Sequence, residues 1–328
     1  MGCGLRHANL SLVLAGLAAI VVPYGSAQVP TASAVATPAE EATFDGVAWS
    51  TLSYSAHKFF LGAKTTIRAE RLPSAAVADA LRRPPNGTPV ALPTVDVEAV
   101  SVTTDLPFGR DEAVRILFDP TTGAAIGGEK TMLGRSAYHK LLRYTEGGLF
   151  TWRASPASDR EAELAPDRWS HRKSYLVEPA VKPPAGTPVA DSYALLYLVS
   201  AARLDRQGSS MRLVMLADDR YVEMVFVAGG LTYSQSSFEE TWPGGSHRRQ
   251  GDVLVRRVKA VARALDSTQG GEDVELGFLG MRGTLTILLE VGTGLPVSLS
   301  GRVEHIGDLT VRLNRAALLR PPAPGHVL

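Results

Sequence analysis

The stretch DSYALLYLVSAARL, Asp191 to Leu204, predicts a buried helix. Asp191 can cap it, because its carboxylate can accept a hydrogen bond from a free first-turn amide and suits the positive end of the helix dipole. Arg203 stands in the last turn, where a cation is favoured. The stretch is shorter than the roughly 20 residues that span a bilayer, which favours a core helix over a membrane anchor. Its apolar side chains recur every three or four residues and extend around most of its surface: Leu195, Leu198, Val199 and Ala202, with Tyr193, Leu196 and Tyr197.

Candidate strands lie on both sides of this helix, separated by turns rich in glycine, proline and aspartate. A short peripheral helix is expected from Ala75 to Arg83, capped by Ser74. About a dozen strands without an alternating strand-helix rhythm predict a mainly β fold: an antiparallel meander curled into a barrel or half-barrel around the buried helix. The predicted strands are Trp49–Ala56, Ala63–Leu72, Thr94–Thr104, Glu112–Phe118, Lys140–Tyr144, Leu149–Ser155, Ser210–Ala217, Tyr221–Ala228, Leu231–Trp242, Asp252–Leu265, Asp273–Phe278, Gly283–Val291, Pro296–His305 and Leu309–Leu313.

The amino-terminal segment predicts export. Arg6 precedes an apolar run from Leu10 to Val22, and small residues follow Pro23, which is the three-part pattern of a secretory signal peptide. Cleavage after Ala27 and cleavage after Ala34 both agree with this pattern. We therefore expect an exported protein, in the periplasm or outside the cell, that no longer spans a membrane once the signal is removed.

The sequence predicts four regions. They are a signal peptide (1–27), a disordered leader (28–43), a β-rich barrel-like domain (44–320) and a frayed tail (321–328). The Pro-rich loop at 178–190 leaves open whether the domain is a single unit or two halves, 44–177 and 191–320.

Composition excludes several classes of protein. Lys and Arg number 34 against 33 Asp and Glu, so the chain has no electrostatic footprint for nucleic acid. The single cysteine, Cys3, lies within the predicted signal, which leaves the mature chain without a disulfide or a thiolate site. We expect its stability to come from packing.

No catalytic or metal-binding constellation stands out, and we expect no cofactor. The histidines are scattered, and the GEKT string at Gly128–Thr131 lacks the spacing of a phosphate-binding loop. The adjacent carboxylates Glu239 and Glu240 are expected to be solvated. An enzyme, such as a hydrolase, would need the fold to bring together residues such as His139, His171 and Asp167.

Aromatic side chains are the best candidates for lining a ligand cavity. Trp152, Trp169, Tyr193 and Tyr197 could line an apolar cavity, although a core role is the favoured explanation for each. A second candidate is the basic run from Arg248 to Arg263. In an extended strand its Arg257, Lys259 and Arg263 share one face, as on a solvent-exposed strand or at a contact with anionic lipid headgroups.

The chain resembles a family of exported bacterial β-rich proteins, domain of unknown function 3108. The resemblance rests on Asp191 before the helix, Pro296, the closing strand Gly307–Leu313, Gly62 and Lys140–Tyr144. The chain departs from the family by long insertions around Pro84–Pro93 and Pro156–Pro188. The resemblance implies an antiparallel barrel in the cell envelope, loosely similar to the half-barrel carriers of lipoproteins, and it supplies no catalytic residues.

Together these features predict a non-catalytic envelope protein that binds an apolar small molecule, a lipid or a lipidated partner in a barrel-like cavity. The alternatives are a structural or assembly factor that engages an envelope protein through a sheet edge, and a hydrolase.

Overall fold

A computed structural model describes residues 44–58, 61–106, 110–134, 136–202, 204–217, 219–265, 281–303 and 307–322. The described residues belong to one compact unit. The predicted signal peptide and leader, the strand Asp273–Phe278 and Arg203 lie outside them. The predicted domain limits, 44 and 320, stay a prediction.

The described residues form fifteen strands and a few short helices. The strands are β1 (Trp49–Lys58), β2 (Leu61–Pro73), β3 (Asp96–Leu106), β4 (Arg110–Phe118), β5 (Ala125–Met132), β6 (Tyr138–Thr145), β7 (Gly148–Ser155), β8 (His171–Val177), β9 (Val189–Ala190), β10 (Ser210–Ala217), β11 (Arg220–Trp242), β12 (Gly245–Ala264), β13 (Met281–Glu290), β14 (Pro296–Val303) and β15 (Gly307–Leu318). The helices are α1 (Ser74–Ala78), α2 (Asp159–Ala162) and α3 (Leu195–Ala201), with 3-10 turns at Pro166–Arg168 and Ser192–Ala194.

The strands make one sheet of two antiparallel meanders. Strands β1 to β8 follow one another in order, as do β10 to β15, and the pairing of β1 with β15 joins the two runs. Strand β9 adds to β10 in parallel. Most neighbouring strands are joined by short turns, which explains this order, since an antiparallel pair needs only a tight connection. The predicted fold class, an antiparallel meander with a buried helix and a short peripheral one, is confirmed.

The second run closes on itself, whereas the first does not. One edge of β15 pairs with β1, and the other pairs first with β14 and then, past Arg312, in parallel with Glu239–Thr241 of β11. Strands β11 to β15 therefore form a ring. Strands β1 to β8 extend from this ring as a curved sheet, and within the described residues no strand pairs with the outer edge of β8.

The segment Asp191 to Leu204 is helical over a shorter span than predicted. It begins with the 3-10 turn and continues as α3, which ends where Ala202 becomes extended and bridges to Phe44. The predicted cap at Asp191 is confirmed, because its Oδ1 accepts a hydrogen bond from the Tyr193 amide at 2.8 Å.

Helix α3 is buried on all sides, as its sequence predicts. Its 3-10 turn contacts β3 and β4 on one side and β10 on the other. Tyr197 packs edge-on against Trp49 and Phe118, with ring centroids 6.1 and 5.1 Å away. The helix therefore shares one core with the inner faces of β1–β4 and β10–β15. A helix can be apolar all round only when sheet surrounds it in this way.

Four local predictions need correction. Strands β5 and β8 were not predicted, because glycine in β5 and charged residues in β8 obscure the alternation. Helix α1 has five residues, and its cap is Pro73 without a side-chain hydrogen bond, because Ser74 is already helical. Strand β11 continues through Gly229 and Gly230 with a register shift. The carboxylate of Glu240 is buried, because Arg249 reaches it from the neighbouring strand.

Candidate functional site

A single row of side chains crosses β1 to β8 and changes from aliphatic to cationic residues halfway. Each residue in the row is the direct cross-strand partner of the next, so all of them lie on the inner face of the sheet. The first four are buried aliphatic residues and the last four are cations: Leu52, Ile67, Val102, Val114, Lys130, Lys140, Arg153 and Lys173.

The change follows the reach of the buried helix. The aliphatic half of the row belongs to the core that surrounds α3. Beyond it the strands project past the core, and β8 is exposed over His171–Tyr175. A position beyond the helix faces solvent, where a cation is stable and an aliphatic side chain gains nothing from burial.

Lys130 is the boundary residue of the row. Its Nζ donates to the Tyr193 hydroxyl at 2.6 Å and forms an ion pair with Glu112, and the Tyr193 hydroxyl donates to Glu112 at 2.9 Å. Burial lowers the pKa of Lys130, but Tyr193 and Glu112 outweigh burial and raise that pKa above its ordinary value. Through these contacts Lys130 holds the start of the helix against the sheet.

Asp191 completes this polar anchor. Its Oδ2 accepts a hydrogen bond from the Tyr144 hydroxyl at 2.6 Å, in addition to the capping bond from the Tyr193 amide. Burial raises the pKa of Asp191, and the two hydrogen bonds and the charge of Lys130 oppose that rise. Burial also raises the pKa of Tyr144. These contacts explain why a carboxylate is tolerated at a buried cap.

The three outer cations lie against two tyrosine rings. The charged ends of Lys140 and Arg153 are 5.1 and 4.8 Å from the ring centroid of Tyr138, and Lys173 Nζ is 5.5 Å from that of Tyr175. Lys140 and Arg153 are half-buried and Lys173 is exposed. We call these five residues the basic strip.

The basic strip is suited to an anion. Its cations stand on adjacent strands, which lie about 4.8 Å apart, and like charges directly opposite one another destabilise a sheet. Cation–π contacts contribute about 0.5–1 kcal/mol each where exposed. The Nε of Arg153 is buried and has no hydrogen-bond acceptor among the described residues. An anion on the strip would reduce the repulsion between the cations.

The four aromatic residues predicted to line a ligand cavity lie in two separate places. Tyr193 and Tyr197 are buried in the core around α3. Trp169 is fully buried in a small cluster with Ala137 and Ala154, and Trp152 packs against that cluster. The structure therefore does not bring the four together.

Trp152 lies on the outer face of the sheet. Its ring centroid is 4.5 Å from the Arg82 guanidinium and 5.9 Å from that of Arg172. Its cross-strand partners, Leu141 and Ser174, share that face and alternate with the residues of the basic strip. Trp152 is thus separated from the strip by the sheet itself.

The residues of the hydrolase hypothesis do not converge. His139 shares its face with Ala154 and Arg172, whereas His171 is the partner of Ser155 on the opposite face. The His139 ring binds the Thr131 hydroxyl at 2.9 Å, and burial lowers its pKa. Across the part of the chain that the structure describes, no three His, Cys, Asp or Glu side chains group as metal ligands.

One cavity of about 460 Å³ has a mainly polar lining. Hydroxyl and amide groups dominate it, with Val297 and Leu313 as its apolar members. It differs in this from the apolar cavity that the sequence predicted. The polar members are Ser55, Ser234, Gln235, Ser236, Ser237, Gln250, Ser298, Thr310, Arg312 and Asn314.

Sequence reasoning missed the basic strip, although one signal for half of it was present. The predicted hairpin with its turn at Gly147 already places Lys140 opposite Arg153. Lys130 and Lys173 could not be aligned with them, because their strands were not predicted. In the described residues, moreover, no helix is long and apolar enough to cross a bilayer.

Comparison with known proteins gives a broad structural likeness. No protein-family model matches the chain, and no curated protein matches it significantly. Among solved structures, the chain is similar to a β-barrel-like protein of domain of unknown function 1849 from Brucella abortus. The TM-score is 0.43 at 9% identity, over 84% of this chain and 99% of that one. The likeness is too weak to assign the chain to that family, and the resemblance to domain of unknown function 3108 stays a prediction.

Proposed function

We propose that this is a non-catalytic binding protein of the cell envelope, and that its basic strip takes the anionic headgroup of a lipid or of a lipidated partner. The observation that supports this most directly is the cross-strand row, which changes from aliphatic residues to cations at the limit of the core around α3. Half-buried cations beside tyrosine rings favour a phosphate or carboxylate group over a neutral ligand.

The headgroup is a better ligand than the acyl chain for this surface. The inner face of β1–β4 is already covered by α3, whose Leu195 and Leu198 are fully buried. On the inner face, the part that α3 does not cover lies on β6–β8, and that part is cationic. The ligand therefore presents its charged end to the strip, and its apolar part stays outside the core.

A titration with monomeric short-chain lipid tests the proposal. We expect short-chain phosphatidylglycerol, below its micelle concentration, to bind in isothermal titration calorimetry, and the matching phosphatidylcholine to bind much more weakly. Replacing Lys140 or Arg153 with Gln removes one charge-assisted contact, worth roughly 1.5–3 kcal/mol, so affinity should fall by about tenfold or more. Arg115→Gln, at an exposed cation that pairs with Glu70, is the matched control.

Several results of this titration would be decisive. Equal binding of both lipids, or unchanged affinity in both strip variants, would overturn the proposal. Glycerol phosphate that binds as tightly as phosphatidylglycerol would identify a free phosphate compound as the ligand instead of a lipid. Binding to the strip should also weaken as salt is raised, because charged contacts near solvent are screened.

A sheet edge supports the second candidate, an assembly factor. All seven residues of β8 pair with β7, while the described residues provide no partner for its other edge. An open edge can accept a strand from another protein, although Arg172 and Lys173 are the kind of residue that discourages this. A photoreactive residue at Ser174, which is exposed, should trap one defined protein in cells if the edge is the binding surface. Crosslinks to many proteins or to none would count against it.

A further inference from the structure

Large apolar side chains are exposed together on the outer face of β11 and β12. Val227, Leu231, Tyr233 and Val261 are 43, 50, 62 and 37% exposed. Their alternate neighbours on the same strands, such as Phe226, are buried in the core, so this is the face that points away from the core. Single exposed apolar residues are ordinary, but a group of them on one face marks an interaction surface.

Pairing between the strands makes these residues neighbours. Val261 stands opposite Val225, and Tyr233 stands opposite Leu254, which is half-buried. Between these two pairs β11 carries an extra residue at Gly229–Gly230, where the register shifts. Such a bulge bends the ribbon and increases its twist, and it re-aims the side chains that follow.

Cations are interleaved with the apolar residues. Over 223–235 and 252–263 the two strands carry four basic and two acidic residues, a net of +2. Arg257, Lys259 and Arg263 are exposed, as the sequence predicted for this strand. Arg249 of the same basic run points inward instead and is bound to Glu240, so it does not belong to this surface.

Part of the acidic charge on this face is already engaged. Glu223 accepts a hydrogen bond from Arg212 of β10 at 3.3 Å, and Asp252 accepts one from Gln235 at 2.6 Å. Arg256 donates to the carbonyl oxygens of Gly229 and Asp205. The exposed positive charge of the face is therefore carried mainly by Arg257, Lys259 and Arg263.

We infer that this outer face of β11 and β12 docks on the surface of an anionic bilayer. Tyr233 and Leu231 would enter the interfacial layer, where an amphipathic ring is favoured, while Arg257 and Lys259 contact lipid phosphates. Long basic side chains suit this role, because their stems cover apolar surface while their charges reach the phosphates. The charge of the face complements an anionic membrane.

This docking surface goes beyond the proposed function. The basic strip lies on the inner face of β6–β8, whereas the docking surface lies on the outer face of β11 and β12. One surface would hold a headgroup and the other would hold the protein at the membrane. Each can fail without the other.

Vesicle co-sedimentation with the full chain tests the inference. Vesicles of phosphatidylglycerol and phosphatidylethanolamine should bind the protein, and pure phosphatidylcholine vesicles should bind it weakly. Each basic residue near an anionic surface contributes roughly fivefold, so Arg257→Gln with Lys259→Gln should lower partitioning by about 25-fold. Leu231→Ser with Tyr233→Ser should lower it as well, whereas Leu164→Ser, at an exposed residue elsewhere, should not.

Further measurements keep the test independent of folding and of the basic strip. Circular dichroism should be unchanged in all variants, because the substituted side chains are exposed. In a Tyr233→Trp variant, anionic vesicles should shift the emission to the blue relative to the same variant without lipid. Arg257→Gln with Lys259→Gln should leave the binding of short-chain phosphatidylglycerol in calorimetry intact, and Arg115→Gln, at a cation outside both surfaces, should leave vesicle binding intact. Failure of wild-type protein to bind anionic vesicles, or full binding by both docking-surface variants, would overturn the inference whatever the calorimetry shows for the strip.

Discussion

The buried ionic cluster of Arg249, Glu240 and Glu290 allows a quantitative test of how this sheet is stabilised. The Arg249 guanidinium lies 3.0 Å from Glu240 Oε1 and is also paired with Glu290. The side chains of Arg249, Glu240 and Glu290 are only 10, 1 and 2% exposed. Thr293 adds a hydrogen bond of 2.5 Å to the second oxygen of Glu290.

Replacing Arg249 with Met should cost about 3–5 kcal/mol in the free energy of unfolding, because it leaves two carboxylates buried without their cation. Arg315→Met is the matched control. Arg315 pairs with Glu239 at 2.6 Å, but these side chains are 59 and 39% exposed, so this change should cost about 1 kcal/mol or less. Urea unfolding, with circular dichroism as the signal, measures both values.

A triple variant distinguishes the loss of the ion pairs from the cost of burying carboxylates without a cation. Adding Glu240→Gln and Glu290→Gln to Arg249→Met removes the uncompensated charges, so it should recover a large part of the lost stability. If the triple variant is no more stable than Arg249→Met, the cost does not come from buried carboxylates. Equal costs for Arg249→Met and Arg315→Met would refute the reasoning altogether.

Because of the same cluster, the stability lost in Arg249→Met should depend on pH. Burial raises the pKa of Glu240, and Arg249 opposes that rise. A carboxyl group with a raised folded-state pKa stabilises the fold below its unfolded pKa and loses that contribution as pH rises through the folded value. Without Arg249 the pKa of Glu240 should rise further, so the penalty of Arg249→Met should be larger at pH 8 than at pH 5. A penalty that is constant over this range would contradict the assignment.

Three further predictions concern the helix cap Asp191, the buried Leu198 of the helix, and Gly148, which contacts β8. Asp191→Ala should lower the free energy of unfolding by about 2–4 kcal/mol, because the helix cap is lost and the Tyr144 hydroxyl is left without its acceptor. Asp191→Asn should lower it less. Equal losses for the two variants in urea unfolding would argue against the cap. Because burial raises the pKa of Asp191, wild type should also gain stability relative to Asp191→Asn as the pH falls through that value. Leu198→Ala should cost about 2–5 kcal/mol, since Leu198 is fully buried, and a smaller loss would mean that the core collapses around the gap. Gly148→Ala should loosen β8, because a Cβ would lie 1.9 Å from the Val177 carbonyl oxygen; faster proteolysis of β8 is the expected readout, and unchanged cleavage would contradict it.

Much of the fold could be predicted because its signals are local. Alternation within Trp49–Ala56 and the turn at Gly147 depend only on neighbouring residues, and both hairpins formed as expected. Strands β5 and β8 were missed because Gly127, Gly128 and the charged run from His171 carry no alternating apolar pattern. Their strand conformation comes from pairing with β4, β6 and β7.

The candidate site was mostly hidden from the sequence for the same reason. Lys130 and Lys173 are 43 positions apart and become members of one row only through three strand pairings. Glu240 looked like a solvated turn residue, since nothing near it in sequence shows that Arg249 and Glu290 will enclose it. Burial of a charge depends on which distant strand arrives beside it.

By itself, the sequence determined a mainly β chain with one buried helix that starts at Asp191, because alternation, turn residues and capping act over a few positions. Tertiary structure alone decided the join of β1 to β15, the ring closed by β11 and the reach of α3 across the sheet. These depend on pairing between residues more than 200 positions apart in the case of β1 and β15, and on the volume that the helix fills. That reach also sets where the inner face turns from aliphatic to cationic, which is where we propose that a ligand binds.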